Sequence, residues 1–369
     1  MVTQGSLTVF MGPMSSGKSR DLISVYLNEL QSKEEGRPYK DVILVKNATD
    51  TRAPTIHTRD SRTKNLQPDL QYLSADEVRE FTKKFNPSQH ILLIDEYQFP
   101  TEGDIAGLLD SLATSGFEIY VSTLQTSFNG MAFSEHVKDI FSYADRVVSF
   151  KATCSNCEND YGVRTMRTNN EGTPDQFDAD VVNVGFDNYN PVCRKDHLVP
   201  GRPLHQFHQN LKENGRGSLK VISGPASSAK SDILKSYLVK FSGREPVSYY
   251  TSPPDISTLS RSSSVVLIDN YHKLNSDTQE YAMFLDHMAT KGYFVVVAGD
   301  PLTAKNLPTP SLRELLPLAD DISIESAYEK ISGERMAATK TIQVNGSLKP
   351  VSRYTYLGLI NPFQGGGPQ

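Results

Sequence analysis

The chain of 369 residues contains the same short passage twice. Gly5 to Ser19 reads GSLTVFMGPMSSGKS and Gly217 to Ser231 reads GSLKVISGPASSAKS, identical at ten of fifteen positions with a constant offset of 212. Two more passages recur in the same order. ILLIDEYQ (Ile91 to Gln98) returns as VVLIDNYH (Val265 to His272), and LDSLATSGF (Leu109 to Phe117) as LDHMATKGY (Leu285 to Tyr293). A period longer than half the chain excludes a solenoid and predicts a single core laid down in tandem. The copies are unequal: Lys18 to Asp95 covers 77 positions and Lys230 to Asp269 only 39, so the second lacks a large segment.

Within the first copy, Leu7 to Met11 is a short apolar run before a glycine-rich turn. Leu22, Ile23, Tyr26, Leu27 and Leu30 then follow at helical spacing. Asp41 to Lys46, His90 to Ile94 and Glu118 to Ser122 read as strands, and Asp104 to Ser115 as a helix. Strands alternating with helices predict an α/β fold, a parallel sheet with helices on both faces. Hydrophobic residues make up 38% of the chain, enough for a core in each half, and no apolar run is long enough to span a bilayer. Met1 to Phe10 shows no basic stretch followed by an apolar one, so the expectation is a soluble cytoplasmic protein without membrane contact. Lys+Arg of 38 against Asp+Glu of 43 gives a net charge of −5, which argues against a general nucleic-acid partner.

Gly12-Pro-Met-Ser-Ser-Gly17-Lys18-Ser19 fits G-x-x-x-x-G-K-[ST]. In that pattern the backbone N–H groups from Gly12 through Ser16 and Gly17 curl around phosphate oxygens. Lys18 reaches the β/γ-phosphates and Ser19 ligates Mg²⁺. The run Ile91 to Glu96 supplies the other half: an apolar strand ending in acids at the carboxyl edge of the sheet. Asp95 there suits Mg²⁺, and Glu96 suits a base or an orienter of the nucleophile. In the second copy Ala229 replaces the second glycine and should disfavour the turn. Asn270 replaces Glu96.

Only three cysteines occur, too few for a disulfide scaffold. Cys154 and Cys157 form a C-x-x-C pair, and Cys193 is a natural third ligand for a structural Zn²⁺. Asp196 and His197 compete for the fourth position, with His197 favoured because imidazole suits zinc better than a single carboxylate.

Taken together, GPMSSGKS, Asp50-Thr51-Arg52, IDEYQF, LQTSF and the C-x-x-C…YNPVCRKDH passage resemble the type II (cytosolic, zinc-containing) thymidine kinase family over about Gly5 to Pro200. The resemblance implies a P-loop, RecA-like core followed by a zinc-anchored lasso lid. It implies ATP and Mg²⁺ as co-substrate and cofactor, a deoxynucleoside as acceptor, and Glu96 as the base that takes the proton of the 5′-hydroxyl. Arg52 would lie near the phosphates. Met14, Phe99, Leu124, Phe128 and Phe133 would line the base pocket, and Val182 and Tyr189 would belong to the closing lid. Where many members read L-D-G-T-F or L-R-T-D-F, this chain has Leu124-Gln125-Thr126-Ser127-Phe128 and no acid. The expected organisation is a kinase core at 1–150, the zinc and lasso segment at 151–200, a linker at 201–216, a degenerate second kinase-like domain at 217–360 and a disordered tail at 361–369. Because the family is typically tetrameric, a homo-oligomer is expected, two tandem chains forming a pseudo-tetramer. The competing reading is a nucleotide-binding regulator with weak or no catalysis.

Overall fold

The computed structural model describes residues 5–51, 55–56, 66–182, 188–203, 211, 215–259, 262–328, 337–344, 347–353 and 355–356. Strands β1 (Ser6–Met11), β2 (Asp41–Asn47), β3 (Leu70–Tyr72), β4 (His90–Asp95), β5 (Glu118–Thr123) and β6 (Arg146–Ser149) form one sheet in the order β3-β2-β4-β5-β1-β6. Every pairing in it is parallel. The apolar runs are continuous because both faces are covered. Leu92 and Ile94 of β4 join one core layer; Ile91 and Leu93 join another, with Leu22 and Ile23 of α1 (Lys18–Glu34). Helices α2 (Ala75–Thr82), α3 (Ile105–Ser115) and α4 (Glu135–Tyr143) contribute to the first layer. The bounds of α3 are written locally. Asp104 caps it by accepting the Gly107 N–H at 2.8 Å, and Gly116 ends it at φ 117°.

An antiparallel hairpin of β7 (Arg164–Arg167) and β8 (Tyr189–Val192) follows. A second sheet then forms from β9 (Ser218–Ser223), β10 (Val247–Tyr250), β11 (Val265–Ile268), β12 (Phe294–Gly299) and β13 (Asp321–Ile324). Its order, β10-β11-β12-β9-β13, repeats that of β2-β4-β5-β1-β6, again all parallel. Helices α5 (Lys230–Phe241), α6 (Thr278–Thr290) and α7 (Pro310–Leu315) accompany it. The shorter spacing in the second half corresponds to β3 and α2, which have no counterpart between α5 and β11 among the described residues. The pair β14 (Ala327–Tyr328) and β15 (Ala337–Ala338) leads to a hairpin of β16 (Lys340–Val344) and β17 (Ser347–Val351). The lack of cysteines after Cys193 gives no hint of this hairpin. It stands against its own half's loop as β7–β8 does in the first half: Thr341 Oγ1 accepts the Ala226 N–H as Thr165 Oγ1 accepts that of Met14.

The halves share one hydrophobic core. A single cluster of buried side chains runs from Val9, Leu109 and Phe141 to Val221, Leu285 and Leu312. Polar contacts across the joint come in reciprocal pairs. Lys138 of α4 bonds Glu314 of α7 at 3.0 Å, while Arg313 of α7 bonds Asp139 of α4. Arg353, beyond β17, reaches back to the first half: its Nε donates to Asp145, its Nη1 to Asp110 and its Nη2 to the Tyr143 carbonyl. Arg194, beyond β8, does the same to the second half, through Asp320, Asp286 and the Leu318 carbonyl. Asp110 and Asp286 are the same residue of the repeated LD passages. Such reciprocity is the signature of an isologous interface, here within a single chain.

Because the core is common, Leu285→Ala in the second half should cost about 2–5 kcal/mol. In a urea titration it should shift exposure of the buried Cys154 thiol in the first half together with the loss of helical circular dichroism. Halves that unfold independently would leave the thiol transition in place.

Candidate functional site

The first G-x-x-x-x-G-K-S loop lies between β1 and α1. Gly17 caps the helix in the left-handed region at φ 96°, and Ser15 is also left-handed at φ 61°. A Cβ on Gly12 would come within 2.7 Å of the Phe150 carbonyl, so the loop's first turn requires glycine. The Lys18 ammonium is held by the Gly12 and Pro13 carbonyls at 2.9 and 2.8 Å. Ser16 Oγ is buried with no hydrogen-bond partner, a donor suited to an anion within the loop. Ser19 Oγ donates to Asp95 Oδ1 at 3.2 Å, so helix and strand meet where a hydrated divalent cation is commonly held. Burial, and then the neighbouring Glu96 carboxylate, push Asp95 up to about 6. A cation at this position would relieve both penalties.

Glu96 occupies the left-handed region at φ 56°, a conformation that costs a non-glycine residue about 1–2 kcal/mol. The turn projects its carboxylate from the carboxyl edge of β4. Gln98, not among the site residues expected from the motifs, fixes it: its Nε2 donates to Glu96 Oε2, and its Oε1 accepts the Leu124 N–H at 3.1 Å. The signal was present in IDEYQ, but an amide two residues from an acid is too common a pattern to single out.

The apolar candidates fall into two groups. Phe99 and Phe133 stack edge to face with centroids 5.9 Å apart. The Arg167 guanidinium lies 3.8 Å over the Phe128 ring and 5.8 Å from that of Tyr189, and donates to the Tyr189 hydroxyl at 3.3 Å. Met14 is tied to the hairpin, since its N–H donates to Thr165 Oγ1 at 3.0 Å. Val182 is exposed. Arg52 lies outside the described residues, as do 183–187 of the lid passage, much of 201–216 and the 361–369 tail. In the LQTSF passage Ser127 Oγ donates to Asn129 Oδ1 at 2.5 Å, and Gln125 Nε2 donates across the joint to the Ala319 carbonyl at 2.8 Å. The position that carries an acid in L-D-G-T-F relatives therefore serves the joint between halves in this chain.

The cysteines converge. Donor atoms of Cys154, Cys157, Cys193 and Asp196 all lie within 4.8 Å of one another. A tetrahedral zinc with bonds of about 2.3 Å to sulfur separates its sulfurs by about 3.8 Å. Cys157 and Cys193 Sγ stand 3.9 Å apart, and Asp196 Oδ2 lies 3.2 Å from Cys154 Sγ and 3.3 Å from Cys193 Sγ. The donor set and spacing fit zinc. Burial disfavours the Cys154 thiolate, but N–H groups of Cys157, Cys193 and Asn156 outweigh it and hold the thiol below its ordinary range. His197, the favoured fourth ligand on sequence grounds, is turned away. Its Nε2 donates to the Phe128 carbonyl at 2.8 Å, and burial together with Arg164 and Arg202 keeps the ring neutral, pushed down to about 3. The carboxylate of Asp196 stands in the place expected for that imidazole.

The second loop keeps its shape. Ala229 adopts the left-handed turn at φ 60° despite its Cβ, so the turn expected to fail persists. Lys230 is engaged by the Asp300 carboxylate at 2.8 Å, by the Pro225 carbonyl at 2.5 Å and by Ser228 Oγ at 3.0 Å. An acid thus sits against the ammonium that phosphate would need. Asn270 holds φ 50°, the turn of Glu96 without its carboxylate.

Comparison with known proteins decides the family. The sequence model for thymidine kinase matches residues 5–197, more than half of the chain. The chain belongs to the thymidine kinase family. It is a kinase, a phosphotransferase. A thymidine kinase of Mycoplasma mobile is 31% identical over 213 residues, covering 58% of this chain and 96% of that protein. One of Mycoplasmoides gallisepticum is 28% identical over 217 residues, covering 57% and 88%. The family match ends at the cysteine cluster, and the second half lies beyond it. Among the described residues no helix of this kinase is long and apolar enough to cross a membrane.

The cluster geometry gives a direct test. Asp196→Ala should weaken zinc retention against a chelator by about tenfold or more, while His197→Ala should keep the wild-type zinc content by elemental analysis.

Proposed function

We propose that the chain phosphorylates the 5′-hydroxyl of thymidine, or of a close deoxynucleoside, at the expense of ATP, and that only the first half carries the chemistry. The observation that carries this reading is the juxtaposition of the Lys18 loop, the Ser19–Asp95 contact and Glu96 at one sheet edge. Lys18, the orphan hydroxyl of Ser16 and the loop N–H groups would bind the triphosphate. Ser19 and Asp95 would hold Mg²⁺, which neutralises charge on the phosphates when bound. Glu96, oriented by Gln98, would take the proton of the attacking hydroxyl. Phe99, Phe133, Phe128 and Tyr189, with Met14 and Leu124, would enclose the base. Zinc at the cysteine cluster would be structural, tethering both ends of the lid so that water is kept from the phosphoryl group.

On this reading the domain division is a kinase core at 1–150, the lid at 151–200, a linker, and a second core at 217–360 that has lost catalysis. The Lys230–Asp300 pair supports the loss, because phosphate there must displace a buried carboxylate. The intact Lys18, Ser19, Asp95 and Glu96 set disfavours a purely regulatory role. The free thiols suit a reducing cytoplasm. Assembly into a homodimer of tandem chains is part of the proposal, and light scattering should return twice the chain mass.

Purified protein given ATP, Mg²⁺ and a panel of deoxynucleosides tests the reading. Glu96→Gln should lower kcat by about 10²–10⁴-fold. Lys18→Ala should abolish nucleotide binding, whereas Lys230→Ala should leave both binding and turnover unchanged. Turnover that survives Glu96→Gln and is lost in Lys230→Ala would overturn it.

A further inference from the structure

The second half retains a buried acidic pair, Asp286 and Asp320, whose arginine partners all come from the first half's cysteine-bearing segment and the linker just after it, while Asp320 also accepts the Leu219 N–H of its own half. Arg164, the first residue of β7, donates to Asp286 Oδ1 and to the Leu318 carbonyl at 2.8 and 2.7 Å. Arg194, the residue after Cys193, donates to Asp286 Oδ1 at 2.6 Å and to both oxygens of Asp320 at 2.8 Å. Arg202 adds a contact to Asp286 Oδ2 at 3.0 Å. Burial works against the charged Asp286, but Arg194, Arg164 and Arg202 outweigh it and hold the carboxyl far below the usual range. One carboxylate therefore grips the hairpin where β7 begins and again just past the end of β8.

The grip leads to the site in single steps. Next to Arg164 stands Thr165, whose hydroxyl accepts the Met14 N–H of the phosphate loop. Two residues further, Arg167 packs on Phe128 and holds Tyr189. Arg194 adjoins Cys193, which belongs to the metal cluster. The mirror arrangement in the second half has the same geometry and nothing to serve. Lys340 and Arg353 bind Asp110, and Thr341 Oγ1 accepts the Ala226 N–H at 3.1 Å, but that loop's lysine is already paired with Asp300.

We infer that Asp286 is a positioning residue for the first half's active site: through Arg164 and Arg194 it sets the β7–β8 hairpin against the phosphate loop and the acceptor pocket. This rests on the reading of the first half as a nucleoside kinase. The second half, without catalysis of its own, supplies in cis the surface on which the working lid is built.

The mirror symmetry provides the control. Asp286→Asn and Asp110→Asn each break one of two equivalent clasps in the full chain, and only the first clasp holds the working hairpin. Asp286→Asn should raise KM for the nucleoside by about fivefold or more while KM for ATP stays within about twofold. Hydrogen–deuterium exchange should quicken over residues 164–167 and 189–194. Asp110→Asn should quicken exchange over 340–344 and 347–351 and leave nucleoside KM within about twofold. If the two variants move KM and exchange alike, or if Asp286→Asn leaves nucleoside KM unchanged, the inference is overturned and the clasp is structural only. Should Asp286→Asn fail to fold, Arg202→Ala removes the outermost arm of the same clasp. It must then quicken exchange over 164–167 and 189–194, and unchanged exchange there overturns the inference. If the wild-type chain phosphorylates no nucleoside, the functional reading fails, and the exchange comparison alone then decides whether Asp286 sets the hairpin.

Discussion

Burying an arginine with a carboxylate is costly unless every donor finds an acceptor, and much of this molecule is arranged around meeting that condition twice. Arg353 and Arg194 are both nearly inaccessible to solvent. Each spends its Nε on an aspartate one residue before the last strand of a sheet, Asp145 before β6 or Asp320 before β13. Each spends Nη1 on an aspartate in a helix, Asp110 or Asp286, and Nη2 on a carbonyl, Tyr143 or Leu318. The strand aspartates close the circuit by accepting the Leu7 and Leu219 N–H groups. Neither half supplies the arginine that its own aspartates bind. The joint, the shared core and the placing of both hairpins follow from that.

Strands β1, β2, β4 and β5 of the first sheet were legible because their signals are local, whereas the short β3 and β6 were not. Apolar runs covered on both faces give strands, the Asp104 cap and Gly116 stop give α3, and G-x-x-x-x-G-K-S gives the loop with its lysine and serine. The three repeated passages mark β9, β11 and the end of α6 in the second half, but they reach neither β10 nor β13, and the strand order could not be read from them. Nor could the joint. Asp110 and Asp286 stand in plain view within LDSLATSGF and LDHMATKGY, but an aspartate in a helix ordinarily faces water. Only the distant Arg353 and Arg194, each ending a short P-V-x-R passage (Pro350 to Arg353 and Pro191 to Arg194), reveal its burial.

Two misjudged details at the sites have physical causes. Preference for His197 over Asp196 rested on the affinity of imidazole for zinc, which is sound chemistry but takes no account of direction. The turn after Cys193 aims residue 196 at the thiols and residue 197 at the Phe128 carbonyl. Ala229 was expected to spoil the second loop, yet a single alanine can hold a left-handed turn when the surrounding strand and helix impose it. Lys230 of that loop is bound by Asp300, just beyond the end of β12, a carboxylate far from the motif in sequence and close to it in space.

The reciprocal joint has a consequence for how such a chain can vary. In a pair of identical subunits every substitution at a two-fold contact appears on both sides, and the partners separate on dilution. Here the two faces are encoded separately and held at a fixed one-to-one ratio by the backbone, so their association does not depend on how much protein is present. One face can drift while the other is kept. The Arg164 and Lys340 positions, equivalent in place and already different in kind, show that independence at work.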